Sequence, residues 1–235
     1  MTTSPSSALV TAFAPSGTLR ASINLGNPIL ANKDATTGEP VGVSIDLARE
    51  FARRLGVGIE LIVFEKAAAS VDAVKNEKTD IGFFAVDPAR SEGLRFTAPY
   101  VLIEGSYLVP ESSALTDNAQ VDAEGHRISV GSGSAYDLFL TREFKAATLV
   151  RAPTSPAVTD MFLAERLDVA AGVKQQLEAA ARRPRVAERL YRGDEGQRFR
   201  SDGAATAPHQ RGGRGAAPAA LTLSPVAIGL NRFPT

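Results

Sequence analysis

The sequence predicts an α/β protein of two lobes, each a mostly parallel sheet flanked by helices. Three observations point there. Strand-length apolar runs and stretches of helical spacing alternate as β-α-β-α-β over residues 17–87. One run, Asp80-Ile81-Gly82-Phe83-Phe84-Ala85-Val86, is almost wholly apolar, which suits a strand covered on both faces of a parallel sheet. After a polar connection the same alternation begins again at Arg127.

Residues 1–16 read as a disordered N-terminal tail, with no basic segment and no long apolar run, hence no recognisable signal peptide. Leu19, Ala21 and Ile23 alternate with Arg20 and Ser22, a strand with one buried face. Asn24-Leu25-Gly26-Asn27-Pro28 is a loop of turn formers, and a second loop at 34–40 carries Gly38. A helix starts with Ser44 as N-cap, shows the stripe Ile45, Ala48, Phe51, Ala52 and Leu55, and ends at Gly56. Asp46 near its start and Arg53 and Arg54 near its end suit the helix dipole. Ile59, Leu61 and Val63 form the next strand, and 67–76 a helix with Val71 and Val74 facing inward. Residues 100–109 read as one long extended segment closed by Pro110, and 111–124 as connection.

In the second half, 127–130 is a strand, and Gly131-Ser132-Gly133-Ser134 is a tight turn into a helix through Phe139. Strands follow at 147–151 and 169–171, helices at 157–165 and 174–182. Two similar units joined by an extended segment suggest a first lobe over 17–108, a second over 109–192 and a cleft between them. Residues 193–235 read as an atypical low-complexity tail. From 196 to 220 the only large apolar residue is Phe199, too little burial to offset ordering entropy. The scrap 221–224 looks like a strand cut by Pro225. The change of composition is that of a frameshifted end, or of a divergent tail.

Composition narrows the function. The 235 residues carry 26 basic and 26 acidic side chains, a net charge of +0, which argues against nucleic acid as a partner. There is no Cys, so disulfides and thiolate metal sites are excluded. His126 and His209 are too few for an ordinary zinc site. No run approaches the ~20 apolar residues of a membrane-spanning helix.

Four places carry possible chemistry. Asp87-Pro88-Ala89-Arg90 follows the buried strand, and ligands of open α/β sheets sit beyond the C-terminal ends of strands. A guanidinium there suits a carboxylate through two parallel hydrogen bonds; the plainer reading is a surface Arg paired with Glu92 or Asp87. Gly131-Ser132-Gly133-Ser134-Ala135 offers N–H groups at a helix start, an anion site or an ordinary cap. Asn24 and Asn27 line a cleft or form a plain turn. Glu104 stands in an apolar strand, where an inward carboxylate needs a partner and an outward one meets water. There is no nucleophile elbow, metal-ligand cluster or dinucleotide fingerprint.

Over residues 17–190 the chain resembles the extracellular solute-binding proteins of polar-amino-acid ABC importers. The resemblance rests on Gly17-Thr18-Leu19-Arg20, on Gly42-Val43-Ser44-Ile45-Asp46-Leu47-Ala48, and above all on residues 80–99 with Arg90 and Phe96-Thr97. Ile128-Ser129-Val130-Gly131-Ser132-Gly133-Ser134 and Leu167-Asp168-Val169-Ala170 extend it into the second half. It implies a type II periplasmic-binding-protein clamshell, with 107–110 as one strand crossing between lobes. Arg90 would take the ligand carboxylate with N–H groups around Ser134, Ala135 and Tyr136. Asn24 and Asn27 would touch the ligand, and residues 85–87, Asp87 included, would offer acceptors. Where the family usually places an Asp for the ligand ammonium this chain has Val173, so Asp87 or Glu104 substitutes or the ligand is no ordinary α-amino acid. The resemblance further implies a small carboxylate-bearing solute, an amino acid, as ligand and ABC permease subunits as partners. It implies no cofactor, no nucleic acid, no catalysis, a monomer and a periplasmic site of action. Two other readings stand beside it. One is an enzyme on the same fold, resembling cyclohexadienyl dehydratase, with Asp87 and Glu104 as its acids. The other is a truncated or frameshifted binder without function. A ligand-sensing module of a larger receptor ranks below these.

Overall fold

In the first half, β1 (Thr18–Asn24) is the strand about which the sheet is laid. A computed structural model describes residues 5–110, 112–182, 199–201 and 224–230. The chain divides into two compact units, Met1–Leu102 with Ser224–Thr235, and Ile103–Leu223.

The first unit opens with α1 (Ser7–Phe13), capped by the Ser6 hydroxyl, which accepts the Leu9 N–H at 3.3 Å. The expected disordered tail is therefore helical over these residues. Phe13 meets Phe51 edge-on at 5.1 Å and packs on the core, and Ala14 is buried; this apolar contact orders the segment. Next come β1, the short hairpin β2 (Asn32–Lys33) and β3 (Pro40–Val41), then α2 (Val43–Leu55) and β4 (Gly58–Phe64). α3 (Ala67–Lys75), β5 (Ile81–Ala85), α4 (Pro88–Ser91), β6 (Arg95–Phe96) and β7 (Val101–Ile103) complete the first pass.

β4, β1 and β5 are neighbours and all parallel. Helix α2 covers one face of this sheet, where Ile45, Ala48 and Ala52 meet Leu19, Ala21, Ile23, Ile81 and Phe83. Each large side chain so buried contributes about 1.5–3 kcal/mol. The other face is not open to water, as the alternation in β1 suggested. Ser22 is fully buried, and its hydroxyl meets the Ser70 hydroxyl and carbonyl in α3 at 2.6 and 3.0 Å. Beside it Val71, Val74, Phe84 and Leu94 form a second cluster.

Two cap and strand assignments differ from expectation. The N-cap of α2 is Gly42, not Ser44, which is buried and donates its N–H to the Leu30 carbonyl at 3.0 Å. Gly42 has φ 123°, and a Cβ there would stand 2.7 Å from the Leu30 oxygen. The extended segment 100–109 is two strands, β7 and β8 (Gly105–Pro110), separated at Glu104. The first unit accordingly ends at Leu102 rather than near 108.

The chain also returns to the first unit, against the expected tail. β13 (Ser224–Leu230) lies antiparallel between β5 and β6, with Gly229 opposite Gly82. Pro225 does not break it. The first ladder partner is Val226 opposite Ala85, so the missing proline N–H falls outside the paired register. The Gly82–Gly229 pair leaves room for an aromatic ring. A Cβ on Gly229 would stand 2.8 Å from Phe84 Cδ2, and one on Gly82 would overlap the same ring. Most of the low-complexity stretch, 202–223, lies outside the described residues.

The second unit holds β8, β9 (Arg127–Gly131), α5 (Ala135–Glu143), β10 (Thr148–Ala152), α6 (Val158–Ala164), β11 (Val169–Val173), α7 (Lys174–Ala181) and β12 (Phe199–Ser201). The sheet order is β10-β9-β11-β8-β12, parallel through β11 and antiparallel beyond. Val158, Phe162 and Leu177 pack from α6 and α7 onto Leu108, Ala152 and Ala170. No helix among the described residues is long and apolar enough to cross a membrane.

The same lock appears twice. Asp80, just ahead of β5, accepts the Arg20 N–H at 2.8 Å and its guanidinium at 2.6 and 3.1 Å, while its own N–H donates to the Arg20 carbonyl at 2.8 Å. Asp168, just ahead of β11, accepts the Arg127 N–H at 2.8 Å and donates to the Arg127 carbonyl at 3.0 Å. We expect Asp80→Ala to lower unfolding free energy by about 2–3 kcal/mol in urea titration, because it strands a part-buried guanidinium and a backbone donor. Gly82→Ala should cost about 1–3 kcal/mol by overpacking, and adding Phe84→Leu should recover part of it in the same titration.

Candidate functional site

Because β1 and β5 are parallel neighbours, their C-terminal ends share one edge of the first sheet. Asn24 closes β1, and Asp87 and Arg90 follow β5. Asn24 Oδ1 accepts the Gly26 N–H at 2.9 Å, and Asn27 Oδ1 accepts the Ile29 N–H at 3.3 Å. Both amide oxygens thus shape their own loop, which leaves the Nδ2 groups as the donors these side chains present.

Asp87 is the N-cap of the one-turn helix α4, with Pro88 in its first turn; Oδ1 accepts the Ala89 N–H at 2.9 Å. The turn carries Arg90 inward. Its side chain is buried, not a surface group, and Nη1 lies 3.4 Å from the Ala85 carbonyl oxygen. Burial pushes the Arg90 pKa down to about 10, with Asp87 opposing the shift. The guanidinium remains charged at neutral pH, at a cost to folding of about 3 kcal/mol.

The second unit repeats the arrangement, with β9 and β11 as parallel neighbours. Gly131-Ser132-Gly133-Ser134 leads from β9 into α5. The buried Ser134 is its N-cap, and its hydroxyl accepts the Asp137 N–H at 3.1 Å. Ser132 donates to the Ala152 carbonyl at 2.9 Å and Ser134 to the Gly131 carbonyl at 3.0 Å. The Gly133 N–H donates to Asp137 Oδ2 at 2.9 Å. Among the described residues, the N–H groups of Ala135 and Tyr136 have no such acceptor. The Tyr136 ring is buried, which pushes its phenol pKa up.

Val173 ends β11 and is the N-cap of α7; it is buried and makes no side-chain cap. Next to it, Lys174 Nζ lies 3.0 Å from Glu104 Oε2, and the Lys174 N–H donates to the Glu104 carbonyl at 3.0 Å. Glu104 therefore has its partner within the second unit.

The structure thus brings Asn24, Asn27, Asp87 and Arg90 to one sheet edge of the first unit, and Ser134, Ala135, Tyr136 and Val173 to the matching edge of the second. Sequence reasoning missed Asp137 and Arg151. Arg151 Nε donates to both Asp137 oxygens at 2.9 and 3.2 Å. The signal was the spacing Ser134-x-x-Asp137, which is that of a reciprocal helix cap.

Solved structures share the fold. A putative binding component of an ABC transporter from Wolinella succinogenes, complexed with lysine, is 20% identical with a TM-score of 0.63, covering 91% of this chain and 82% of that one. Truncated, arginine-bound ArgBP from T. maritima is 18% identical with a TM-score of 0.68, covering 92% and 89%. An ancestral amino-acid-binding protein, described as a precursor of cyclohexadienyl dehydratase, is 16% identical with a TM-score of 0.67, covering 94% and 84%. These show a shared fold, that of the two-lobed binding proteins. No curated protein matches the chain. The model of one family matches residues 25–202, most of the chain and every edge residue but Asn24, and the protein belongs to that family, the bacterial extracellular solute-binding proteins, family 3.

Proposed function

We propose that this protein is the solute-binding component of an ABC importer, that it works outside the cytoplasmic membrane, and that it delivers a small carboxylate-bearing solute, an amino acid, to the permease subunits. The observation that carries the reading is Arg90, a buried guanidinium held at an energetic cost beside the C-terminal end of a parallel strand. A ligand carboxylate would offset that cost with charge-assisted hydrogen bonds. The Nδ2 groups of Asn24 and Asn27, and the N–H groups of Ala135 and Tyr136, add donors of the kind a carboxylate accepts. Lysine and arginine in the solved structures of similar fold support an amino acid as the ligand class.

A catalytic reading, suggested by the kinship to a dehydratase precursor, is less well supported. It needs an acid or base directed at substrate. The two acids available to it are engaged, Asp87 by the Ala89 N–H and Glu104 by Lys174.

The test is a thermal melt of the purified chain against the twenty L-amino acids, prephenate and arogenate. A ligand at 100 times its Kd adds about 2.7 kcal/mol, or about 5–10 °C in a chain of this size. We expect a selective shift with an amino acid and no product formed. Turnover of prephenate or arogenate would instead establish the enzyme. Arg90→Met keeps a side chain of similar length without the guanidinium and should lose the ligand-induced shift. A retained shift in that variant would remove Arg90 from the site.

A further inference from the structure

The first turn of α5 holds a contradiction that the second unit resolves with one side chain. A helix start attracts anions through its free N–H groups and its dipole. Here the turn already contains an anion: Asp137, whose side chain is almost fully buried and whose Oδ2 accepts the Gly133 N–H. This carboxylate lies within two residues of the Ala135 and Tyr136 N–H groups. Left alone, it would satisfy the dipole itself and repel any second carboxylate approaching the same turn.

Arg151 removes that charge. It reaches from β10, the strand beside β9, and its Nε contacts both Asp137 oxygens. Its Nη2 donates to Thr141 Oγ1 at 2.8 Å, and that hydroxyl donates to Asp137 Oδ1 at 3.2 Å. The two partners are unequally placed, with Arg151 44% exposed and Asp137 8%. A pair with one half-exposed member adds little to stability. Its larger consequence is electrostatic: the carboxylate that shapes the loop is retained while its charge is cancelled.

We propose that Arg151 is a positioning residue for ligand binding, which neutralises Asp137 so that the Ser134–Tyr136 turn accepts the carboxylate of the solute. The inference rests on the amino-acid-binding reading above. Asp137 fixes which N–H groups are consumed and which remain, and Arg151 determines whether the remaining ones face a net negative or a neutral neighbour.

Calorimetry with the L-amino acids that shift the melt tests this on four proteins: wild type, Arg151→Met, Asp137→Asn and the double variant. We expect Arg151→Met to weaken binding by about tenfold or more, and the weakening to shrink as salt is raised. Asp137→Asn keeps the acceptor for Gly133 without the charge, so the double variant should return to within about threefold of wild type. A purely structural pair would lower the melting temperature of both Arg151→Met and the double variant and leave the Kd of each unchanged, which overturns the proposal. A double variant no better than Arg151→Met also overturns it. If Arg151→Met does not melt cooperatively, Asp137→Asn decides alone: affinity held or raised supports the proposal, and a tenfold loss defeats it. Wild-type protein that binds no L-amino acid removes the underlying reading and this inference together. A binding wild type with an indifferent Arg151→Met removes the inference alone.

Discussion

In both units an aspartate just ahead of a central strand fixes where that strand begins relative to its neighbour. Asp80 exchanges backbone-level hydrogen bonds with Arg20, and Asp168 does so with Arg127. A parallel pair has no hairpin to set its register, so something else must. A carboxylate that accepts a backbone N–H, while its own N–H returns to the same residue, supplies that reference. With the start fixed, strand length determines where the strand ends. The residues that leave β5 and β11 thus arrive beside those that leave β1 and β9. That Asn24 and Asp87 share one sheet edge, and Gly131 and Val173 another, follows from locks at the far end of the sheets.

The two units then treat buried charge in opposite ways. Unit one keeps a buried cation, Arg90, in an environment that lowers its pKa to about 10, with Asp87 opposing the shift. Unit two carries Asp137 into an equally buried position but cancels it with Arg151. A stability criterion alone would favour an apolar side chain at 90 and none of the ionic contacts at 137. Under the proposed function, a need to hold an anionic group would account for both, the cation kept and the resident anion offset.

Much of this was legible in the sequence, and the misses have physical causes. The buried run ahead of Val86 and the recurring β-α order are strong local signals, and the strands and helices they predict are present. Ser22 was read as facing water because alternation reports polarity, not coverage; a serine bonded to Ser70 is polar and buried at once. The helix at residues 7–13 depends on Phe13 finding Phe51, a contact across dozens of residues that local spacing cannot report. β13 was missed for a related reason. Pro225 and Gly229 weaken its strand propensity, while its place is fixed by the ladder to β5 and by Phe84 lying over two opposed glycines. Among the site residues, the strand-end positions of Arg90 and Ser134 were readable. The burial of Arg90, which sets it apart from a surface ion pair, required the fold.

Val173 and Glu104 show how a substitution propagates. An acidic residue at the start of α7 would cap the helix and present negative charge at that edge; valine does neither. Glu104 does not restore that charge, because Lys174, the first residue of the same helix, holds it at 3.0 Å. The end of β11 therefore presents an apolar surface beside a locally balanced ion pair. An ammonium group brought to that edge finds no acid at the start of α7, and burying it unpaired is prohibitive. This edge of the second unit is thus weighted toward donors: the α5 turn offers the N–H groups of Ala135 and Tyr136, and the start of α7 offers no acid.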